Sequence, residues 1–382
     1  MDSPSVQLQE TLDGSIQRAL TSQRPILTHL NADTSWLVQL PYPSDTARPS
    51  GRSRWNIIFD PWWVTVRASI SESWRLTAFR FQGPQSDVAK LFSTQWHTVE
   101  SCVQNMAELS QRLQDIEARL QSHEPLLMEE KHLEHLKTTK PSYIDAVVIS
   151  HEFTDHCNKN TLLELDIDTP IYATKRAVDL IRSWNYFNFV QEVPSFSAKH
   201  SDWRKTSLRS LPNWLGISQM ISQSDTLEYH SAILLIFNVT QTSLSRPWEA
   251  YVPAEGIIYT PHGIRAQDLG YLPTAVPPIR TLALLHGLHD IKLSIRKLNL
   301  GAHNGLQAQR ICKAKYWVST HDEIKKATGF IAPWLYRNVL TLREALDEER
   351  RAKGMVGDES ELVDVRGVIF ADLSSGESLL LV

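Results

Sequence analysis

The sequence predicts a mixed α/β fold in which two β-sheets lie against each other with helices outside them. Three observations predict it. Short apolar runs rich in Val, Ile, Leu and aromatic residues recur along the chain, bounded by Pro, Gly, Asn and Asp. Helical periodicities fall among these runs without alternating one for one, which fits two sheets better than a single doubly wound one. The 382 residues suffice for a core of that size.

The elements follow in order. Residues 1–24 read as a polar tail or short helix, lacking the positive and apolar regions of a secretory signal. "ILTHLNADTSWLVQL" reads as two strands around the turn residues Asn31 to Asp33, and "WNIIFDPWW" as a third strand ended by Pro61. Residues 98–137 read as a helical insertion. There Cys102, Met106, Leu109, Leu113, Ile116 and Leu120 are spaced 4, 3, 4, 3 and 4, which gives one apolar helical seam. The seam is short for a free coiled coil, so it is expected to pack on its own domain. Pro125 breaks the helix, and "LLMEEKHLEHLK" begins a second one carrying His132 and His135.

Strand signals resume at "DAVVIS", followed by a capped helix in "NKNTLLEL", a buried strand in "PIYAT" and a helix in "KRAVDLIRSW". "FVQEV", "TSLRSL", "GISQMI", "SAILLIFNV", "WEAYVP" and "GIIYT" read as successive strands, and "IRTLALLHG" and "AKYWVST" as later buried ones. Residues 25–335 are expected to form the main domain. Residues 336–382 are expected to pack on it as the helix "TLREALDEERRAK" and a hairpin of "VRGVIFADL" and "SLLLV" around Ser374 to Glu377.

Composition narrows the functional classes. A net charge of −4 without a long basic stretch argues against a nucleic-acid partner. No apolar run approaches the roughly 18 residues that span a bilayer. The three cysteines (Cys102, Cys157, Cys312) are far apart and read as free thiols in a reducing, cytoplasmic compartment. Cys157 reads as a small buried filler. Trp62, Trp63, Trp96 and Trp214 read as core residues before pocket walls.

The chemistry gathers in "VVISHEFTDH", residues 147 to 156. A buried strand stops at Ser150, and His151, Glu152, Asp155 and His156 follow within six positions. Polar side chains at the end of a buried strand sit at a sheet edge, where ligand clefts form. Neutral imidazoles and carboxylates are natural ligands for Zn, Mn and Fe, and adjacent Asp155 and His156 can reach one ion from a tight loop.

This stretch resembles the H-x-H-x-D-H motif of the metallo-beta-lactamase superfamily, with Phe153 where the second histidine belongs. Other stretches are similar in order and placement. "HLNADTSWLVQL" and "IIFDPWW" look like the opening strands of the branch with sugar-phosphate lactonases and N-acyl phosphatidylethanolamine phospholipases. "LEYHSAIL" offers His230 as the third histidine, and "KYWVSTHDE" offers His321 as the last. "IIYTPHGI" puts His262 where the family has a bridging aspartate. The resemblance spans residues 25–335 outside the insertion and implies a four-layer αββα sandwich.

It also implies the site. One family metal position would keep His151 and His230 but lose a ligand to Phe153, since a phenyl ring donates no lone pair. The other would keep Asp155, His156 and His321. His262 replaces a charged bridge with a neutral donor, so two adjacent dications are disfavoured. One divalent ion, Zn2+ or Mn2+, is therefore expected on Asp155, His156 and His321, with His262 and His151 or His230 completing the shell. Asp155 and His262 are the expected catalytic residues. Water activated on the ion would attack a small-molecule ester, lactone, thioester, amide or phosphodiester. Glu152, Asp322 and Glu323 are candidates for fixing the imidazole tautomers.

His286 and His289, with Asp290, imitate a ligand cluster at helical spacing, but the resemblance assigns no metal there. His303, in "GAHNG", is a candidate for the cleft border. A relative with a degenerate site that binds without turnover is the alternative. An iron oxidoreductase would call for a second intact metal site or a flavin domain, and neither is evident in the sequence. Substrate and oligomeric state are not written in these residues.

Overall fold

The computed structural model describes residues 23–44, 46–49, 52–63, 79–80, 94–96, 99–122, 142–222, 225, 228–239, 253–323, 326–328, 332–352 and 367–382. The described strands begin with β1 (Ile26–His29), β2 (Trp36–Pro41), β3 (Arg54–Phe59), β4 (Phe79–Arg80), β5 (Thr94–Trp96) and β6 (Ala146–Ile149). They continue with β7 (Ile171–Ala173), β8 (Val190–Glu192), β9 (Leu215–Ile221), β10 (Ser231–Phe237), β11 (Ala254–Thr260) and β12 (Ile279–His286). The last are β13 (Asp290–Leu293), β14 (Arg296–Asn299), β15 (Tyr316–Val318), β16 (Lys326–Thr328), β17 (Leu335–Asn338), β18 (Ile369–Ala371) and β19 (Ser378–Leu380). The described α-helices are α1 (Met106–Ser122), α2 (Lys159–Leu162), α3 (Lys175–Arg182), α4 (Ala302–Cys312) and α5 (Leu342–Ala352).

A seven-stranded sheet runs β19-β1-β2-β3-β6-β7-β8, and a six-stranded sheet runs β18-β15-β12-β11-β10-β9. Two smaller sheets run β14-β13-β17 and β16-β5-β4. Side chains alternate across a strand, so each apolar run serves two layers. Ile57 and Phe59 of β3 join the core between the sheets, while Ile58 faces outward. In β10, Ile233, Leu235 and Phe237 point inward and Leu234 and Ile236 outward. Trp36, Val38, Tyr172, Tyr259 and Val318 complete the inter-sheet core.

Helices cover both outer faces. The seam Cys102, Met106, Leu109, Leu113 and Ile116 packs with Ala177, Val178 and Ile181 of α3 against Leu37, Ile58 and Val147. Buried Glu117 fastens α1 to the start of β3 by accepting from the backbone N–H groups of Ser53 (2.7 Å) and Arg54 (3.0 Å). On the opposite face α4 contributes Ala308 and Cys312 beside Leu234 and Leu284. Trp317 of β15 meets Leu306 of α4 and Ala345 of α5. The architecture is an αββα sandwich.

Local signals explain two helix starts. Asn158 Oδ1 accepts from the Thr161 N–H at 3.0 Å and caps α2. "TLRE" is a capping box: Thr341 Oγ1 accepts from Glu344 N–H (3.2 Å), and Glu344 Oε2 accepts from Thr341 N–H (2.8 Å).

The structure corrects two expectations. The C-terminal strands do not form a hairpin: β18 lies parallel to β15, and β19 lies antiparallel to β1 in the other sheet. Each covers an open sheet edge whose backbone groups would otherwise lack partners. "TSLRSL" is not a strand, because a 3-10 turn over Trp203–Thr206, capped by Asp202, occupies its start. Residues 1–22, the second helix of the 98–137 segment, residues 248–252 of "WEAYVP", His97, and the side chains of Trp96 and Leu120 lie outside the description.

The parallel pairs are β3 with β6, β6 with β7, β7 with β8, β11 with β12, β12 with β15, and β15 with β18. Asp60 directly follows β3, and His151, His262 and His321 come within three residues of the ends of β6, β11 and β15, so parallel pairing within each sheet carries them to strand C-terminal ends. His286 ends β12 and is structural. Its Nδ1–H donates to Gly287 O (2.7 Å), and Asn304 Nδ2 donates to its Nε2 (2.9 Å). His29 stacks on Trp36 with ring centroids 3.9 Å apart and donates from Nδ1 to Leu373 O at 2.6 Å.

Burial holds the pKa of both His29 and His286 below the ordinary histidine value. The unfolded chain takes up these protons near pH 6.5, whereas the folded chain resists them. Their contribution is therefore complete above pH 6.5 and is lost as pH falls through the depressed folded values. Urea unfolding should show stability falling as pH drops below about 6.5. His286→Asn should flatten that dependence; an unchanged pH slope in the variant refutes the assignment.

Candidate metal centre

Four loops at strand ends build the site. After β6, the N–H groups of His156 (2.9 Å) and Cys157 (2.6 Å) both donate to Phe153 O, which winds residues 153–157 into a tight turn. Thr34 Oγ1 donates to Asp155 O at 2.7 Å and holds that turn against the β1–β2 loop. After β11, Gly263 adopts φ +77°, where an added Cβ would lie 2.8 Å from Leu300 O. The Leu300 N–H donates to His262 O (2.9 Å), so the His262 turn is seated on the end of β14. After β15, His321 itself has φ +60°, uncommon for a residue with a side chain. Its N–H donates to Asp33 O at 2.8 Å.

These loops bring together two groups of ligand atoms, each within 4.8 Å of one another: Asp155 with His156 and His321, and His151 with His156 and His262. His156 belongs to both, and all five residues are buried. Ring centroids of His156, His262 and His321 are 4.8, 5.0 and 5.2 Å apart. Asp155 carboxylate oxygens lie 3.9 Å from His156 Nε2 and 4.0 Å from His321 Nε2.

The far side of each ring is held. His156 Nδ1 donates to Asp60 Oδ2 (2.7 Å), His321 Nδ1 to Asp33 Oδ1 (2.9 Å), and His262 Nδ1 to Asn299 Oδ1 (3.0 Å). Each contact leaves Nε2 as the inward, lone-pair nitrogen. His262 Nε2 is buried and has no hydrogen-bond partner among the described residues. Burial, reinforced by His151, His156 and His321, pushes the His262 pKa well down, which keeps that lone pair available. An inward set of imidazole nitrogens and one carboxylate suits a divalent transition ion.

His151 and His230 are differently placed. His151 Nε2 donates to Tyr229 O at 3.0 Å, and its Nδ1 lies 2.9 Å from Ser150 Oγ. The expected His230 ligand is in neither group; its Nδ1 lies 3.2 and 3.3 Å from the carbonyl oxygens of His262 and Gly263. Tyr229 takes the ground beside His262 instead, with centroids 4.3 Å apart, and packs at 5.3 Å from Phe153. An aromatic pair therefore stands where the family pattern implies ligands.

The tautomer-fixing groups also differ from those expected. Glu152 pairs with Arg176 (3.6 Å), and Asp322 accepts from the N–H groups of Leu288 (2.7 Å) and His289 (2.9 Å). Asp60, Asp33 and Asn299 hold the rings. A sequence signal existed for Asp60, since it ends the apolar run "WNIIFD" much as His151 follows "AVVIS". His286 and His289 do not share a helix, and His303 binds Glu348 at 2.9 Å on the surface. Burial pushes the Cys157 thiol well up, so it stays protonated and acts as filler.

The fold and this cluster define an αββα sandwich with a histidine–carboxylate centre at the strand ends. No protein-family model matches the chain, and no curated protein matches it. Similar solved structures include a possible metal-dependent hydrolase from Veillonella parvula, with 13% identity, 94% of this chain and 100% of that chain covered, and a TM-score of 0.46. An isothiocyanate hydrolase from Delia radicum gut bacteria has 14% identity, coverage of 93% and 99%, and a TM-score of 0.46. A metallo hydrolase from Ignicoccus hospitalis has 13% identity, coverage of 93% and 97%, and a TM-score of 0.39.

Asp60→Asn keeps the shape but removes the charge behind His156. It should weaken affinity for Zn2+ by about 10- to 100-fold in a chelator competition while far-UV circular dichroism is unchanged. An affinity equal to that of the parent protein would exclude the orienting role.

Proposed function

We propose that this protein is a metal-dependent hydrolase of the metallo-beta-lactamase fold. A single divalent ion, Zn2+ or Mn2+, is held by Asp155, His156 and His321, and the Nε2 of His262 beside it is kept for proton transfer. The supporting observation is the convergence of Asp155, His156 and His321 ligand atoms within 4.8 Å, at the end where parallel strands finish. When bound, such an ion lowers the pKa of water toward neutrality and polarises a carbonyl or phosphoryl oxygen.

The chain supplies the rest. Asp60 and Asp33 accept from the Nδ1–H groups of His156 and His321, so Nε2 is the nitrogen each ring turns toward the ion. Asp155 can give one oxygen to the ion and use the other to orient attacking water. His262 is kept neutral by burial and accepts a proton at Nε2, returning it to the leaving group. Its Nδ1 contact with Asn299 sets the ring angle for that transfer. Phe153 and Tyr229 pack on one flank of the cluster, where the phenyl ring of Phe153 offers no lone pair to a second ion. The substrate is a small molecule with an ester, lactone, thioester, amide or phosphodiester bond.

Elemental analysis after Zn2+ loading should give close to one ion per chain, and Asp155→Ala or His321→Ala should lose it. Phe153→His alone should remain near one, since His151 is engaged with Tyr229 O and His230 is turned aside. A parent protein that takes up no ion under any loading condition would sink the proposal. His262→Gln should retain the ion and lose about 100-fold or more in kcat on whichever ester or phosphodiester the parent hydrolyses. Bound metal with no turnover of esters, lactones, thioesters, amides or phosphodiesters would favour a non-catalytic relative.

A further inference from the structure

Away from the metal centre, the small β14-β13-β17 sheet carries an unusual surface. The register Leu293 opposite Arg296 leaves Ser294 and Ile295 as a two-residue turn, with Ser294 at φ +55°. Ile295, at the tip, is 98% exposed. Trp334 O accepts from the Ser294 N–H at 3.4 Å, so Trp334, itself 64% exposed, adjoins that tip.

The charges nearest the tip are positive, and Asp290, at the far end of β13, gives one oxygen to the Gly301 N–H. Lys292 pairs directly with Lys297 on one side and with Tyr336 on the other, so the three side chains share a face. Tyr336 is 61% exposed, and Arg296 and Lys297 are also exposed. Two local choices here oppose stability: like charges directly opposite across a ladder repel, and large apolar groups at a hairpin tip stand in water. Both become favourable against the same counterpart, one that is apolar inside and anionic at its surface. Trp and Tyr suit the boundary between those zones, and lysines suit an anionic headgroup layer. A second copy of this surface would instead bring like charges together.

We propose that the β13–β14 hairpin, with Trp334 and Tyr336, is a docking wedge for an anionic lipid surface: Ile295 and Trp334 enter the interface, and Lys292, Arg296 and Lys297 contact the headgroups. This does not depend on the reading of the metal centre. The same strand nevertheless reaches the site, because Asn299 at the end of β14 holds His262. Four residues of strand, about 13 Å, separate that contact from the tip. No described helix is long and apolar enough to cross a membrane, and a wedge of this kind needs none.

Co-sedimentation of the full chain with phosphatidylcholine vesicles, with and without phosphatidylglycerol, tests the proposal. Binding should require phosphatidylglycerol and weaken with salt. Each of Lys292→Glu and Lys297→Glu should weaken it about fivefold or more. The double variant Ile295→Glu/Trp334→Glu should weaken it at least about tenfold. Far-UV circular dichroism and metal content should be those of the parent in all of them. Lys175→Glu, on α3, should bind as the parent does. Absent binding, binding insensitive to the wedge variants, or a parent dimer that Ile295→Glu dissociates would each overturn the proposal, the last in favour of a protein interface.

Discussion

The carboxylate of Asp60 is the contact on which the site rests. It accepts from the Ser150 N–H (2.7 Å), the Ser150 hydroxyl, His156 Nδ1 (2.7 Å) and the Tyr259 hydroxyl (2.7 Å). A buried carboxylate is tolerable only when its lone pairs are filled, and here the donors come from both sheets. The end of β3, the loop after β6 and β11 across the sandwich are tied at one point. The Tyr259 phenol is pushed well up by burial and then by Asp60 itself, so it remains a donor throughout the physiological range. The group that orients His156 thus also fixes the spacing between the layers where the ligands meet.

Asp33 plays the matching part on the other side. Asn31 Oδ1 accepts from the N–H groups of Asp33 and Ser35, both at 2.9 Å, which rigidifies the β1–β2 turn. Asp33 then holds His321 twice, through backbone and ring. Asp60 and His321 both have positive φ, 42° and 60°. Such backbone is unfavourable by roughly 1–3 kcal/mol per residue and persists where surrounding bonds over-determine it. Both residues are so determined, and both lie at the centre.

The layers were legible because their cause is local. Runs such as "AVVI" and "SAILLIF" are apolar on both faces, and only a strand covered on both sides suits them. Asp155, His156 and His321 were legible because each follows such a run or sits in a dense polar cluster. Asp33 reads as a turn residue and Asp60 as part of a strand, since a single carboxylate beside an apolar run says nothing about which ring it will meet. The displacement of His230 by Tyr229 depends on one residue of loop geometry, which spacing does not encode. The C-terminal hairpin failed for a long-range reason. A sequence shows which segments are strands, but vacant sheet edges elsewhere decide their partners.

That last pairing bears on how the chain assembles. Thr28 and Ser378, side by side across β1 and β19, are 350 positions apart. At synthesis rates of about 5–20 residues per second, β1 waits tens of seconds for its neighbour. During that interval an early-made strand has an uncovered margin on the ribosome, and the parallel neighbour of β15 is equally late. Pairing of β19 with β1 thus waits on the whole of the intervening chain, and loss of the β19 segment would uncover the β1 edge of the seven-stranded sheet.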